Sequence, residues 1–164
     1  MMFYYKIACI YFGSEDYENC IFFLDKIIGN KSLKMREDLM CFSRVLNIFA
    51  HYEAGFDYHL ETHLRETYKF LIKMNDLHEV KKAMIRFVRG LGEIYPHELK
   101  TAFESLYKEL KQYENDPYES RSFLYLDILS WLESKIKNVS ISSIIRQKAS
   151  TINRKERSSI SPYS

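Results

Sequence analysis

The sequence predicts an all-α fold in which antiparallel helical hairpins stack as an α-solenoid. Apolar residues recur at steps of three and four on both sides of Gly55, and residues so spaced share one face of a helix. These residues are Leu39, Phe42, Leu46 and Phe49 before the glycine and Leu60, Leu64, Tyr68 and Leu71 after it. Only five Gly and three Pro interrupt the 164 residues, which favours helices over many-stranded sheets. The same two-run pattern precedes and follows this unit, as a repeat array requires.

The first hairpin is predicted at about residues 3–28. Its first helix, Phe3–Phe12, is expected to bury Phe3, Ile7, Ile10 and Tyr11. A turn follows, in which Ser14 or Asp16 can cap the second helix. The apolar residues of that second helix are Tyr17, Cys20, Ile21, Leu24, Ile27 and Ile28.

The central hairpin is predicted at about residues 33–74 and a third hairpin at about 77–113. In the central hairpin, Gly55 tolerates the left-handed turn that ends the first helix, and Asp57 can cap the second. In the third hairpin, Pro96 stands at the junction, where its missing amide costs least. The apolar stripes there are Val80, Met84, Phe87 and Leu91, then Leu99, Phe103, Leu106 and Leu110.

A single long closing helix is predicted at residues 118–137, after the break at Asn115-Asp116-Pro117. Apolar residues cover well over half of its circumference, so we expect it to pack on more than one side. The helical-repeat domain is therefore predicted to span residues 1–138.

Residues 139–164 are predicted to form a basic tail, with one weak helix at 139–150 and disorder at 151–164. From Lys137 onward there are six Lys/Arg and one acid, whereas the preceding residues hold 18 bases and 21 acids. Such a tail is either solvated and inert or a weak contact for nucleic acid or an acidic protein. Its basic residues are Arg146, Lys148, Arg154, Lys155 and Arg157.

The turn at Asp16-Tyr17 aligns with Asp57-Tyr58 at an offset of 41 residues, a period typical of solenoids. At this point the chain resembles the tetratricopeptide class. The first hairpin matches the small, aromatic and large apolar positions of that class through Ala8, Cys20, Tyr11, Tyr17 and Leu24. The second keeps Tyr52, Gly55 and Tyr58 but has Glu61 where a small residue is expected. The resemblance implies a right-handed solenoid that binds proteins.

The segment from Tyr52 to Lys137 also resembles the C-terminal part of uncharacterised helical-repeat proteins of Bacteroidetes. The residues that carry this resemblance are Thr67-Tyr68-Lys69-Phe70-Leu71 and Ser130-Trp131-Leu132-Glu133-Ser134-Lys135-Ile136. It implies no activity.

The sequence offers one constellation that could hold a metal, His59 and His63. Two histidines four positions apart face the same way on a helix, and His51 or Asp57 could supply a third ligand. The zinc-protease pattern requires Glu directly after the first histidine, and Leu60 stands there instead. The alternative is that both are surface histidines. We expect neither an enzyme nor a cofactor, because the sequence has no Gly-rich phosphate loop, nucleophile elbow or Cys-x-x-Cys pair.

Three cysteines, Cys9, Cys20 and Cys41, lie in apolar helical patterns and are expected to be buried free thiols in a reducing cytosol. No apolar run approaches the roughly 20 residues that a membrane span needs. The apolar start of the chain lacks the basic leader of a signal peptide. We therefore expect a cytoplasmic protein.

The aromatic residues of the first hairpin exceed what one neighbouring hairpin can bury. We expect an apolar patch at this end, covered by a second copy, a partner protein or preceding sequence. Its candidate residues are Phe3, Tyr4, Phe22 and Phe23. The sequence thus predicts a non-enzymatic scaffold for protein–protein interaction. The alternative is a helical protein that associates with nucleic acid through the basic tail.

Overall fold

The structure is helical throughout the part of the chain that it describes. This computed structural model describes residues 2–30 and 37–159, without the side chains of residues 57–59 and 153–159. Within those ranges it contains nine α-helices and one short 3₁₀ turn, Leu91–Glu93, and no strand, which confirms the predicted all-α class. The helices are α1 (Met2–Gly13), α2 (Tyr17–Ile28), α3 (Glu37–Glu53), α4 (Asp57–Lys73), α5 (Glu79–Gly90), α6 (Leu99–Lys111), α7 (Arg121–Tyr125), α8 (Ile128–Lys137) and α9 (Ile141–Ser159).

Among the first six helices, those that follow one another in the chain pack together. These pairs are α1 with α2, α2 with α3, α3 with α4, α4 with α5 and α5 with α6. In addition, α3 packs on both α1 and α5. The predicted start of the central hairpin at Leu33 lies outside the described residues.

Four helices end in the same way. Glu15, Gly55, Asn75 and Asn138 adopt positive φ angles of 65°, 71°, 51° and 53°. In each case the next amide donates back to the carbonyl five positions earlier, which is the Schellman arrangement. The first two turns are therefore equivalent at an offset of 40 residues, so the predicted offset of 41 was wrong by one position.

The caps of the second helix in each of the first two hairpins differ. Asp16 caps α2 as predicted, since its carboxylate accepts from the Asn19 amide at 3.2 Å. In α4 the capping position is Phe56, and Asp57 is already the first helical residue, so the predicted cap at Asp57 was wrong.

The centre of the core is α3, whose predicted stripe is buried in full at Leu39, Phe42, Leu46 and Phe49. On α4, Leu64 and Leu71 are buried and Thr62 is exposed, as the periodicity predicted. Tyr68 is an exception, because it is 38% exposed and the Arg89 guanidinium lies over its ring at 5.8 Å.

The side of α1 that was predicted to be buried is not the side that the structure buries. The residues expected to be buried include Phe3 and Ile10, which are 71% and 69% exposed, whereas the structure buries Tyr5, Ala8 and Phe12. Every side chain of this helix except Lys6 is apolar or weakly polar. Two stripes with helical spacing therefore compete, and packing against α2 and α3 selects one of them.

The predicted single helix at 118–137 is instead two helices, α7 and α8. Between them Leu126 is extended, with φ −135° and ψ 107°, and Asp127 accepts from the Ser130 amide at 3.1 Å to begin α8. A carboxylate that caps a new helix competes with continuation of the old one.

The predicted disorder at 151–164 is also corrected, because α9 continues to Ser159. Ile141 and Ile144 are buried and hold its first turns, and α9 packs on α8. Once these turns are in place, each further residue adds a hydrogen bond without the cost of a new helix nucleus. Residues 160–164 lie outside the described part of the chain.

The last helices pack back onto the first ones. The Tyr5 hydroxyl donates to the Tyr125 carbonyl oxygen at 2.9 Å, and the Tyr125 ring stacks on Phe42 with centroids 4.6 Å apart. The Trp131 ring lies between Phe49 and Phe103, at centroid distances of 5.0 and 5.6 Å. The N-terminal and C-terminal thirds of the described chain therefore share one core.

Candidate functional site

Two surfaces of α1 remain uncovered after its core side is buried. One side carries Tyr4 and Tyr11, whose rings lie 5.8 and 5.7 Å from the ring of Phe23 on α2. The opposite side lines a cavity through Met2, Lys6, Cys9 and Gly13, a stripe at steps of four, three and four. A nearly charge-free helix thus presents apolar surface in two directions away from the core.

The first surface is the aromatic end face, which consists of Phe3, Tyr4, Phe22 and Phe23. Phe3 and Phe22 are 71% and 53% exposed, Tyr4 is 38% exposed, and Phe23 is partly buried. The rings of Phe22 and Phe23 meet edge to face at 5.3 Å, and the Lys26 ammonium lies 4.5 Å from the centre of the Phe22 ring. Ring contacts thus join Tyr4, Phe22 and Phe23, three of the four aromatic residues predicted as an interaction surface, whereas Phe3 is exposed next to Tyr4 in the chain.

The second surface is the apolar groove, a cavity of about 650 Å³ between α1, the bend between α7 and α8, and the start of α9. Its floor consists of Tyr5, Phe12, Leu46, Leu126 and Ile141, all of which are buried. Its edges include Ile10, Leu124 and Ile145. A smaller cavity of about 430 Å³ shares Cys9, Ile10, Gly13 and Ile145 with it and continues to Ser142 and Arg146.

The polar atoms at the floor of the groove already have partners. The Tyr5 hydroxyl and the Cys9 Sγ both point to the Tyr125 carbonyl oxygen, at 2.9 and 3.8 Å. Burial raises the pKa of Cys9 to about 11 and raises the pKa of Tyr5 well above its usual value. Both groups stay protonated near neutral pH, so Cys9 is a poor nucleophile and the floor is uncharged.

Three charged residues line the groove and its extension. Lys6 and Arg146 are exposed, and neither forms an ion pair with another described residue. Asp127 is engaged with the Ser130 amide as the cap of α8. Asp127 is exposed as well, so two bases and one acid give the groove and its extension a net charge of 2 − 1 = +1.

Of the five basic residues predicted from the tail, the structure describes the side chains of Arg146 and Lys148. Lys148 binds the Glu133 carboxylate at 2.8 Å and the Ser130 hydroxyl at 2.9 Å, so it holds α9 against α8. Arg146 is exposed beside the groove. The side chains of Arg154, Lys155 and Arg157 lie outside the described part.

The predicted histidine site is described only in part. The rings of His51 and His63 are 4.4 Å apart, and the His51 Nδ1 lies 3.1 Å from the Asn47 carbonyl oxygen. The side chain of His59 lies outside the described residues. Among the residues that were placed, no group of three or more His, Cys, Asp or Glu side chains is arranged to hold a metal ion.

Comparison of the chain with protein-family models, with curated protein sequences and with solved structures gives no match. Among the helices that the structure describes, none combines the length and apolar character needed to cross a membrane.

Sequence reasoning missed the apolar groove because its walls come from three distant segments. The only sequence signal was on α1, where Met2, Cys9 and Gly13 follow a helical stripe that was not assigned to the core. Leu124 and Ile145 gave no such signal, since the first lay in a helix predicted to be continuous and the second in a tail predicted to be weakly ordered.

Proposed function

We propose that this protein is a non-enzymatic, tetratricopeptide-like helical-repeat scaffold that binds another protein through the aromatic end face. The observation that carries the proposal is the exposure of Phe3 and Phe22, at 71% and 53%, beside Tyr4 and Phe23. Clustered exposed aromatic side chains are unusual on a soluble monomer and are enriched at protein interfaces.

The repeat architecture of the proposal rests on two observations. The first helices of successive hairpins, α1, α3 and α5, pack side by side, and α2 packs on α3. The Schellman turns at Glu15 and Gly55 are equivalent at an offset of 40 residues. A right-handed solenoid of three hairpins, with α7 to α9 packed back onto it, accounts for both.

The proposed binding mode follows from the chemistry of the end face. In a repeat array the outer helices of one hairpin are normally covered by the next hairpin. The end face offers aromatic rings and one cation, Lys26, which is already placed over the Phe22 ring. A helical surface of similar apolar character would bury these rings, and it could come from a second copy or from another protein of the cytosol.

Sedimentation velocity across a concentration series tests whether a second copy of the chain covers the end face. We expect the sedimentation coefficient to rise with concentration for the wild type and to stay at the monomer value for Phe3→Glu and Phe22→Glu. The matched control is Tyr95→Glu, since Tyr95 is 67% exposed on the third hairpin. That variant should behave as the wild type does.

Photo-cross-linking in the native cell tests whether another protein covers the end face. Benzoylphenylalanine in place of Phe3 should form a discrete adduct that disappears when Phe22 is also changed to Glu, whereas the same probe at Tyr95 should form none. A monomeric wild type together with no adduct specific to position 3 would overturn the proposal.

A further inference from the structure

We propose that the apolar groove binds an amphipathic helix of a partner protein whose apolar face is flanked by acidic residues. This site goes beyond the aromatic end face, because none of the four residues of that face lines the groove. The inference rests on the shape of the groove, its length and the charge around it.

The apolar edges of the groove indicate the kind of occupant. Ile10 is 69% exposed, Leu124 is 84% exposed and Ile145 is 43% exposed. A single acyl chain lying on the floor would leave most of these edges in water. An amphipathic helix presents several apolar side chains along one face and can cover more of them.

The length of the groove matches a short recognition helix. The stripe from Met2 to Gly13 runs along three turns of α1, or about 17 Å at 1.5 Å per residue. Helices that bind in grooves use anchors at i, i+3 or i+4, and i+7, which span about 10 Å and fit within this length. The groove therefore has room for three successive apolar anchors.

The charge of the occupant follows from the bases at the groove. Lys6 and Arg146 are exposed and have no ion-pair partner among the described residues, and their two charges exceed the single negative charge of Asp127, which caps α8. Carboxylates beside the apolar face of the incoming helix would complement these cations. A second copy of α1 fits poorly, because its one charged residue is Lys6 and would repel them.

Fluorescence anisotropy with the full chain and a labelled peptide tests the proposal. The probe is an amphipathic helix of about 14 residues, roughly 21 Å long, with leucines at the anchor positions and glutamates beside them. The matched control peptide has lysines in place of the glutamates. We expect saturable binding of the acidic peptide and binding of the basic peptide that is weaker by roughly tenfold or more.

Variants of the protein locate the binding. Leu124→Glu and Lys6→Glu should each weaken binding of the acidic peptide by roughly tenfold, since both place like charge beside its glutamates. Tyr118→Glu is the matched control, because Tyr118 is 85% exposed and lies outside the groove. The acidic peptide should also slow alkylation of Cys9, which lines the groove.

Four results would overturn the proposal: no saturable binding of the acidic peptide, equal binding of the basic peptide, no effect of Leu124→Glu, or no protection of Cys9. Palmitate that protects Cys9 and displaces the peptide would assign the groove to a lipid instead. Phe22→Glu separates this proposal from the end-face interaction, since it should abolish that interaction and leave peptide binding unchanged.

Discussion

The Glu15 carboxylate accepts a hydrogen bond from the Ile141 amide at 2.9 Å, although 126 positions separate the two residues. The turn between α1 and α2 therefore caps the N-terminal end of α9. Glu119 does the same for α5, accepting from the Glu79 and Val80 amides at 2.9 and 3.1 Å. In both cases a carboxylate from a distant segment satisfies amides that begin a helix and interacts favourably with its positive end.

Replacing Glu15 should show how much this contact contributes. We expect Glu15→Ala to lower the free energy of unfolding by about 0.5–2 kcal/mol, the range for loss of a helix cap. Glu15→Gln retains an acceptor oxygen and should lose less. Urea unfolding of both variants measures the difference. Equal losses from the two would contradict a role for the acceptor.

The core side of α4 gives a second prediction. Leu64 is buried and Thr62, two positions earlier, is exposed. Leu64→Ala should cost about 2–5 kcal/mol, because it leaves a cavity in the core. Thr62→Ala should stay within about 0.5 kcal/mol. A denaturant melt in which both variants lose the same stability would show that α4 faces another way.

The attachment of α9 should depend on pH through Glu133. Burial alone would raise the pKa of Glu133, but the hydrogen bonds and charges of Lys148 and Lys137 outweigh it and lower that pKa. A lowered pKa means that the ionised carboxylate stabilises the fold above the pKa of an unfolded glutamate, and that this contribution is lost as the pH falls through the folded value.

We therefore expect Glu133→Gln to lower the melting temperature more at about pH 7 than at about pH 3. Glu61→Gln, at an exposed position of α4, is the control and should have little effect at either pH. Thermal melts followed by circular dichroism measure both. A loss of the same size at the two pH values would argue against an ionic role for Glu133.

The thiol of Cys9 gives the fourth prediction. With its pKa raised to about 11 by burial, Cys9 should react slowly with iodoacetamide near neutral pH, and its rate should still be rising at pH 10. Free cysteine, with a pKa of about 8.5, serves as the control, because its rate levels off above that pH. Peptide mapping by mass spectrometry identifies the site. An alkylation rate of Cys9 that levels off at the same pH as that of free cysteine would contradict the raised pKa of Cys9.

Much of the fold could be predicted because apolar residues recur at helical spacing in most helices. On α3 the structure buries Leu39, Phe42, Leu46 and Phe49 as expected, and it also buries a second stripe at Cys41, Val45 and Ile48, so no choice between two faces was needed. On α1 nearly every position is apolar, so periodicity could not choose between Tyr5, Ala8 and Phe12 on one side and Phe3 and Ile10 on another. That choice depends on neighbours far along the chain.

The remaining errors involve the same dependence on distant contacts. The end of α7 could have been suspected from Asp127, a capping residue within an apolar run, but the apolar pattern outweighed it. The order of α9 depends on Ile141, on Glu15 and on the ion pair of Lys148 with Glu133. Local composition alone describes this segment as a basic, Ser-rich tail.

The contact of Tyr5 with Tyr125 has a consequence for how the chain is made. Synthesis proceeds from the N-terminus, so the first three hairpins leave the ribosome before residues 125 and 141 exist. During that interval the side chains of Tyr5, Phe42 and Leu46 are exposed, and a chaperone or a neighbouring nascent chain can bind them. Such long-range closure also slows folding relative to arrays that contact only their nearest repeats. Residues 125–141 therefore determine when Tyr5, Phe42 and Leu46 become safe from aggregation.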